Sequence, residues 1–329
     1  MRFGLFIPQG WRLDLVGIPP KQQWATMRRL AREADAGPWD SLWVYDHLQT
    51  APIPTEEPTY EAWTLTTAFA ASTERIRLGQ MCTCLPYRNP ALLAKMAATA
   101  DHVSAGRLDV GVGAGGWFEH EWRGYGYGFP SASERLAMLD EGVQILRQAW
   151  AGGVATLHGR HYRVDGAICR PLPFQDGGIP LWVAGGGERR TLRIAACYGQ
   201  YTNFDPTPDV WRHKSAVLAE HCRELGRDFD SITRSASYFV VIAETERGVR
   251  DKLDWIVRHY EPMLSADALE QYRRNFENGP LVGTPDSIVE RLIAANADGM
   301  TYALCNFVDS AYDVTSRDLF ATQVIPALA

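Results

Sequence analysis

The stretch TERIRLGQMCTCLPYRNPALLAKMAATADHVSAGRLDVGVGAG, Thr73–Gly115, decides the fold. Ile76–Cys82 is a short, mostly apolar run of strand length. Pro90–Val103 carries apolar residues at helical spacing, and its proline sits in the first turn, where a missing N–H costs nothing. Leu108–Val112 is a second strand running into glycines. A strand, a helix and a strand in that order predict a parallel pair with a helical crossover.

The same alternation extends in both directions. Upstream, Arg2–Pro8 and Ser41–Tyr45 read as strands, with helices at Pro20–Ala36 and Glu61–Ser72. Downstream, strands are predicted at Pro180–Ala184, Tyr201–Phe204, Ser235–Ala243 and Thr301–Phe307. Helices are predicted at Arg189–Cys197, Asp209–Leu225, from Ala243 to about Tyr260, and at Asp286–Asn296. Ser131 and Glu134 form an S-x-x-E capping box for a helix ending near Trp150. Val154–Val164 reads as a hairpin inserted after the fourth strand. Glu261–Gly279, after the seventh, is polar and less regular, and is expected to be a lid or insertion. Eight β/α alternations without repeat or linker predict an α/β fold: one (β/α)8 TIM barrel spanning 1–329, with insertions after strands 4 and 7. A doubly wound open sheet is the competing reading.

Bulk composition narrows the partners. A chain of 329 residues with 46% hydrophobic residues buries a large core without staples. A formal charge of −6 speaks against nucleic acid or an anionic membrane as partner. No segment approaches the length of a membrane span, and the N-terminus lacks the pattern of a signal peptide. Of the six cysteines, Cys82 and Cys84 form C-x-C among apolar neighbours, so reduced buried thiols and a cytoplasmic setting are expected.

In a barrel, chemistry gathers where strands end at the C-terminal face. Asp46-His47 follows the second strand; a histidine there suits proton transfer near neutral pH. Gly111–Trp117 (GVGAGGW) meets G-x-G-x-x-G at Gly111, Gly113 and Gly116, but neither a helix nor a fitting acid follows as a dinucleotide fold requires. Its glycines instead suit close approach of a flat ring, or simply a tight turn. Ala184–Arg190 (AGGGERR) opens a helix, and its free amides suit a phosphate, with Arg189 or Arg190 adding charge. Glu119, His120 and Glu121 lack metal-ligand spacing and read as a solvated loop edge; no metal is expected. Tyr87 and Arg88 either line a pocket or anchor their loop. No nucleophile elbow or triad is present.

In this order, RFGLFIPQG, SLWVYDHL, the Thr73–Gly115 stretch, GGGERRTLRIAA and VGTPDSIVERL resemble the luciferase-like monooxygenase superfamily over nearly the whole chain. More narrowly they resemble its deazaflavin-dependent oxidoreductases. The resemblance implies coenzyme F420, with FMN as the alternative, and a ring over the barrel mouth. It assigns Asp46 and His47 to the reactive edge, with His47 as proton donor or acceptor and Asp46 orienting it or touching the ring. It places a non-prolyl cis peptide at Met81–Cys82.

Cofactor contacts are expected from Asp46, Met81, Cys82, Thr83, Gly113, Ala114, Gly115, Ala184, Gly185, Gly186, Gly187 and Arg189. An apolar substrate wall is expected from Trp11, Trp63, Tyr87 and Trp117, with Glu121 nearby. The family's sugar-phosphate dehydrogenases carry a glutamate just after the strand-four glycines. Gly116 stands there, which speaks against that activity, and Gly199–Thr202 departs from the usual A-D-G-W. The implied activity is hydride transfer between F420 and a small organic substrate. The alternatives are an FMN-dependent monooxygenase fed by a separate reductase, and a non-catalytic binder that kept the fold. A homodimer and a separate flavin or F420 reductase complete the expected partners.

Overall fold

The computed structural model describes residues 1–116 and 118–328. Its strands are β1 (Arg2–Phe6), β2 (Ser41–Val44), β3 (Arg77–Gln80), β4 (Thr83–Cys84), β5 (Val110–Gly113), β6 (Val154–His158), β7 (Arg163–Ile168), β8 (Leu181–Ala184), β9 (Tyr201–Asn203), β10 (Thr233–Ile242), β11 (Leu281–Gly283) and β12 (Tyr302–Asn306). Hydrogen-bonded neighbours run β3-β2-β1-β12-β10-β9-β8-β5-β4, every pair parallel. The ring closes between β3 and the approach to β5: Leu78 N donates to Arg107 O (2.9 Å) and Asp109 N to Leu78 O (2.8 Å). With β3 and β4 counted as one interrupted strand, this is the eight-stranded barrel, not the open sheet. The peptide between them, Met81–Cys82, is cis.

Helices follow the strands as the pattern requires. Pro20–Ala36 and Pro90–Val103 have the expected bounds. Asn89 Oδ1 accepts from the amides of Ala91 (2.9 Å) and Leu92 (3.1 Å), and Pro90 supplies the preset first turn. The Ser131–Glu134 capping box is present and opens the helix Ala132–Gly152. The insertion after β5 holds the antiparallel β6–β7 hairpin.

The insertion after β10 is more regular than its sequence. Ala266–Glu277 is a helix, where an irregular segment was expected, and the short strand β11 pairs with β10. Ser265 caps the helix by accepting from Ala268 N, and Phe276 buries against Tyr272 (5.4 Å between centroids). Leu269, Tyr272 and Phe276 are too few for a visible stripe. They gain their partners from Leu13, Val241, Tyr260 and Val308 in a second small core. That core ties the insertion to the loop after β1: Tyr260 Oη donates to Arg12 O (2.7 Å), and His259 Nε2 lies 2.9 Å from Leu13 O.

The barrel interior is filled, not hollow. Trp43 and Trp182 are fully buried and meet at 4.6 Å. Glycines make room for them. A Cβ on Gly4 or on Gly79 would stand 2.5 Å from the Trp43 ring. Beneath, the Tyr201 ring stacks on Trp182 (4.2 Å), and the Arg2 guanidinium lies over Tyr302 (4.6 Å). Above this packed floor, the C-terminal ends of the strands form the mouth where a barrel's chemistry gathers.

Candidate active site

β2 carries Asp46 and His47 to the mouth, but the two side chains part there. Asp46 is buried. Its carboxylate accepts from Cys84 N (2.8 Å) and from both terminal nitrogens of Arg88 (2.5 and 2.7 Å). Arg88 also reaches Glu61 at 2.7 Å. A bidentate buried pair of this kind fixes geometry strongly. It pins the β4 segment against β2 and makes Arg88 a loop anchor. Asp46 does not orient His47, as had been expected.

Glu121 does. His47 Nδ1 lies 2.9 Å from Glu121 Oε2. Glu121 is 1% exposed, so it is no solvated loop edge and is not open to substrate. Its oxygens are all engaged: Tyr87 Oη donates to Oε2 (3.0 Å), and Leu48 N and Gln49 N donate to Oε1. Burial pushes the Glu121 carboxyl upward, but the bonds from His47, Leu48 and Tyr87 outweigh it and hold it below the ordinary carboxylate range. An ionised Glu121 fixes the His47 tautomer with hydrogen on Nδ1. Nε2 is left free of that bond, and among the described residues it has no hydrogen-bond partner. The ring is clamped flat on Trp11, with centroids 3.9 Å apart and planes 2° apart, and Phe118 meets its edge at 5.1 Å.

Small residues floor the mouth beside this pair. A Cβ on Gly113 would lie 2.5 Å from Cys82 Sγ and 3.8 Å from Ala184 O. A Cβ on Gly115, whose φ is +80°, would strike Trp122 and Cys84. Met81 and Cys82 join the barrel's inner apolar cluster, while the Thr83 hydroxyl turns to Gln80 (3.4 Å). Burial, with Asp46 close by, pushes the Cys82 thiol up to about 12. Cys82 is therefore a neutral surface, not a nucleophile. A shallow apolar floor of Gly113, Cys82 and Ala184, flanked by an imidazole, fits a flat tricyclic ring.

Across the mouth, Ala184–Arg190 leads into the helix Thr191–Tyr198. Gly185 takes φ +110°, and a Cβ on Gly187 would meet Thr191 Oγ1 at 2.7 Å, so the bend needs glycine. Arg190 turns away and donates to Ser133 O (2.8 Å). Arg189 is exposed at the turn. The cation that does lie over the turn is Lys214, whose chain comes within 3.5 Å of a Cβ built on Gly186. Its ammonium meets Glu188 at 2.5 Å. Lys214 sits 28 residues beyond Gly186 on the helix Pro208–Leu225, where only the fold brings it to the glycines. Glycines, helix-start amides and a lysine fit a phosphate group.

Two expected wall residues are placed elsewhere. Trp63 is 2% exposed and packs in the main core cluster, because the helix Ala62–Ala70 turns it inward. Tyr87 is buried, stacked with Tyr127 at 4.8 Å and bonded to Glu121. Trp117 lies outside the described residues. Glu119 pairs with Arg123 on the surface. No group of three metal-ligating side chains forms among the described residues. Nor is any described helix long and apolar enough to cross a membrane.

The family model for luciferase-like monooxygenases matches residues 1–302. The chain is 36% identical over 200 residues to an F420-dependent glucose-6-phosphate dehydrogenase of Nocardia farcinica, covering 59% of this chain and 58% of that protein. It is 26% identical over 294 residues to an FMNH2-dependent dimethylsulfone monooxygenase of Pseudomonas putida, covering 81% and 78%. The chain spans about half the length of the curated F420-dependent relatives it matches. A solved F420-dependent secondary alcohol dehydrogenase with an F420–acetone adduct superposes with a TM-score of 0.80 at 20% identity, over 100% of this chain and 99% of that one. At that identity the likeness is one of fold.

Proposed function

Because the chain belongs to the luciferase-like monooxygenase family, we propose that it is an oxidoreductase moving a hydride between coenzyme F420 and a small organic substrate. The observation that carries this reading is the His47–Glu121 pair, held flat on Trp11 at the barrel mouth beside an apolar, side-chain-poor floor. When bound, the deazaflavin supplies the hydride donor or acceptor. Met81, Cys82, Gly113, Ala114, Gly115 and Ala184 would hold its ring. Gly185, Gly186, Gly187, Arg189 and Lys214 would hold its phosphate.

Hydride transfer to or from a carbonyl or alcohol also moves a proton, and His47 Nε2 is the atom placed to carry it. Glu121 keeps Nδ1 protonated and stabilises the imidazolium that forms when Nε2 takes a proton. Trp11 fixes the ring plane, so the nitrogen points one way throughout. The reading extends to a cytoplasmic homodimer supplied by a separate F420 reductase. The six free cysteines support only its reducing compartment.

A second reading, an FMN-dependent monooxygenase fed by a separate reductase, is favoured by the similarity to the Pseudomonas putida enzyme. The two separate on oxygen, with which deazaflavins react poorly. Turnover under strict anaerobiosis with F420 alone supports the proposal; an absolute need for oxygen and reduced FMN overturns it.

A further inference from the structure

Arg12 stands at the mouth without a carboxylate. It follows Trp11 in the loop after β1, and its guanidinium carbon lies 4.0 Å from the Trp11 ring centroid. Phe239 is at 5.1 Å and Tyr45 at 5.9 Å. Its Nε is sealed from solvent with no hydrogen-bond partner, although the side chain as a whole stays partly exposed.

The other substantially covered arginines that meet acids are tightly paired. Arg77 pairs with Asp109, Arg88 with Asp46 and Glu61, and Arg317 with Glu33 and Asp318. Among the described residues, no carboxylate lies within ion-pair distance of Arg12. Asp14, two residues on, turns its Oδ1 to Gly10 N (2.7 Å) instead. A Tyr272 hydroxyl and aromatic faces support the cation, but they leave its planar fork without an anion. The charge of Asp14 acts on the guanidinium from beyond ion-pair distance, but no carboxylate bonds its fork.

The place of this cation says what it is for. Trp11 is the ring on which His47 stacks, so Arg12 borders the proposed proton-transfer group through one shared indole. Tyr45 belongs to the barrel's inner cluster with Met81 and Cys82. Around the ring of strands, β1 and β8 are separated by β12, β10 and β9 on one side and by β2, β3 and β5 on the other. The glycine turn after β8 and the Arg12 loop therefore face each other across the mouth. A ligand phosphate at Gly185–Gly187 is on the far side from Arg12.

We propose that Arg12 is the specificity-determining residue of this site, receiving a planar carboxylate carried by an aromatic or other apolar substrate. The fork offers paired N–H groups to two oxygens, while the partly exposed Tyr45 and Phe239 border the apolar body. The inference rests on reading this mouth as the substrate site, but not on which cofactor occupies it.

The test uses the full chain without cofactor. Benzoate and its neutral isostere benzamide are titrated at constant ionic strength, followed by tryptophan fluorescence. Benzoate is expected to bind at least about tenfold more tightly than benzamide, and Arg12→Met to abolish that preference. Should Arg12→Met not fold, Arg12→Lys carries the test: it keeps the charge, loses the fork, and is expected to weaken benzoate several-fold while leaving benzamide unchanged. No benzoate binding, equal binding of the two probes, or variants that bind benzoate like the unmodified protein overturn the inference. F420 titration of unmodified protein and of Arg12→Met runs in parallel. Failure of the unmodified protein to bind F420 counts against the cofactor reading alone, and an unchanged F420 affinity in Arg12→Met separates the two sites.

Discussion

His47 Nδ1 and Glu121 Oε2 lie 2.9 Å apart, brought together from positions 74 residues distant in the chain. The carboxylate is buried and held below the ordinary carboxylate range, so it is ionised wherever the enzyme works. It fixes which nitrogen of His47 carries hydrogen. Glu121→Gln keeps the shape and removes the charge. The turnover rate is expected to fall roughly 10–100-fold, as when a carboxylate partner of a functional histidine is lost. The loss should fall on kcat, with KM for the substrate little changed. Cofactor affinity, read by fluorescence, should stay within about threefold. A kcat within about threefold of the unmodified protein would remove Glu121 from the mechanism.

Arg88→Met strands Asp46 in the interior with only the Cys84 amide to meet it. Breaking one side of a buried ion pair typically costs about 3–5 kcal/mol. Denaturant unfolding should show a loss of that order. A loss under about 1 kcal/mol would mean that water reaches Asp46 and that the pair is not a structural anchor.

Two glycines of the barrel should fail in different ways. Gly79→Ala pushes a methyl to 2.5 Å from the Trp43 ring, which the packed floor cannot move aside. Overpacking of this kind costs roughly 1–3 kcal/mol, seen as a lower Tm. Gly113→Ala meets only the movable Cys82 Sγ and should cost little stability. It raises the floor under the ring, however, and cofactor affinity should fall about tenfold or more. The reverse assignment of the two effects would place the ring elsewhere.

Asp14 makes stability depend on pH. Burial pushes its carboxyl up to about 6, against the bond from Gly10 N and the charge of Arg12. Because the folded value lies above the unfolded one, the protonated form favours folding. That contribution is complete below the ordinary aspartate range and is lost as pH rises through about 6. Asp14→Asn cannot ionise and should escape the loss. Tm measured from about pH 5 to about pH 8 should fall more steeply for the unmodified protein than for the variant. Parallel curves would show that Asp14 titrates alike in both states.

The barrel was legible because its signals are local. The proline and asparagine at the start of Pro90–Val103, the capping box at Ser131 and the glycines after β5 each declare a structure within a few residues. What stayed hidden depends on distant contact. Glu121 reads as one acid of a polar triplet until the chain buries it beneath His47. Asp46 looks like the natural partner of His47 because it is adjacent, yet a strand ending alternates its side chains, and Arg88 captures it. Lys214 has no local mark, since helix packing alone carries it to Gly186. The helix Ala266–Glu277 has too narrow an apolar stripe to declare itself without Leu13, Tyr260 and Val308 opposite. An arginine beside a tryptophan carries no local mark, and Arg12 stands out only once the fold leaves no carboxylate within ion-pair distance of it.

Equilibrium binding decides whether a deazaflavin lies over Gly113 and Cys82 with its phosphate at Ala184–Gly187. F420 and FMN are titrated separately into the purified protein and followed by fluorescence quenching. F420 binding at least tenfold tighter than FMN, a difference of about 1.4 kcal/mol, and weakened in Gly113→Ala, is the predicted result. FMN binding as tightly as F420 or more tightly would contradict it.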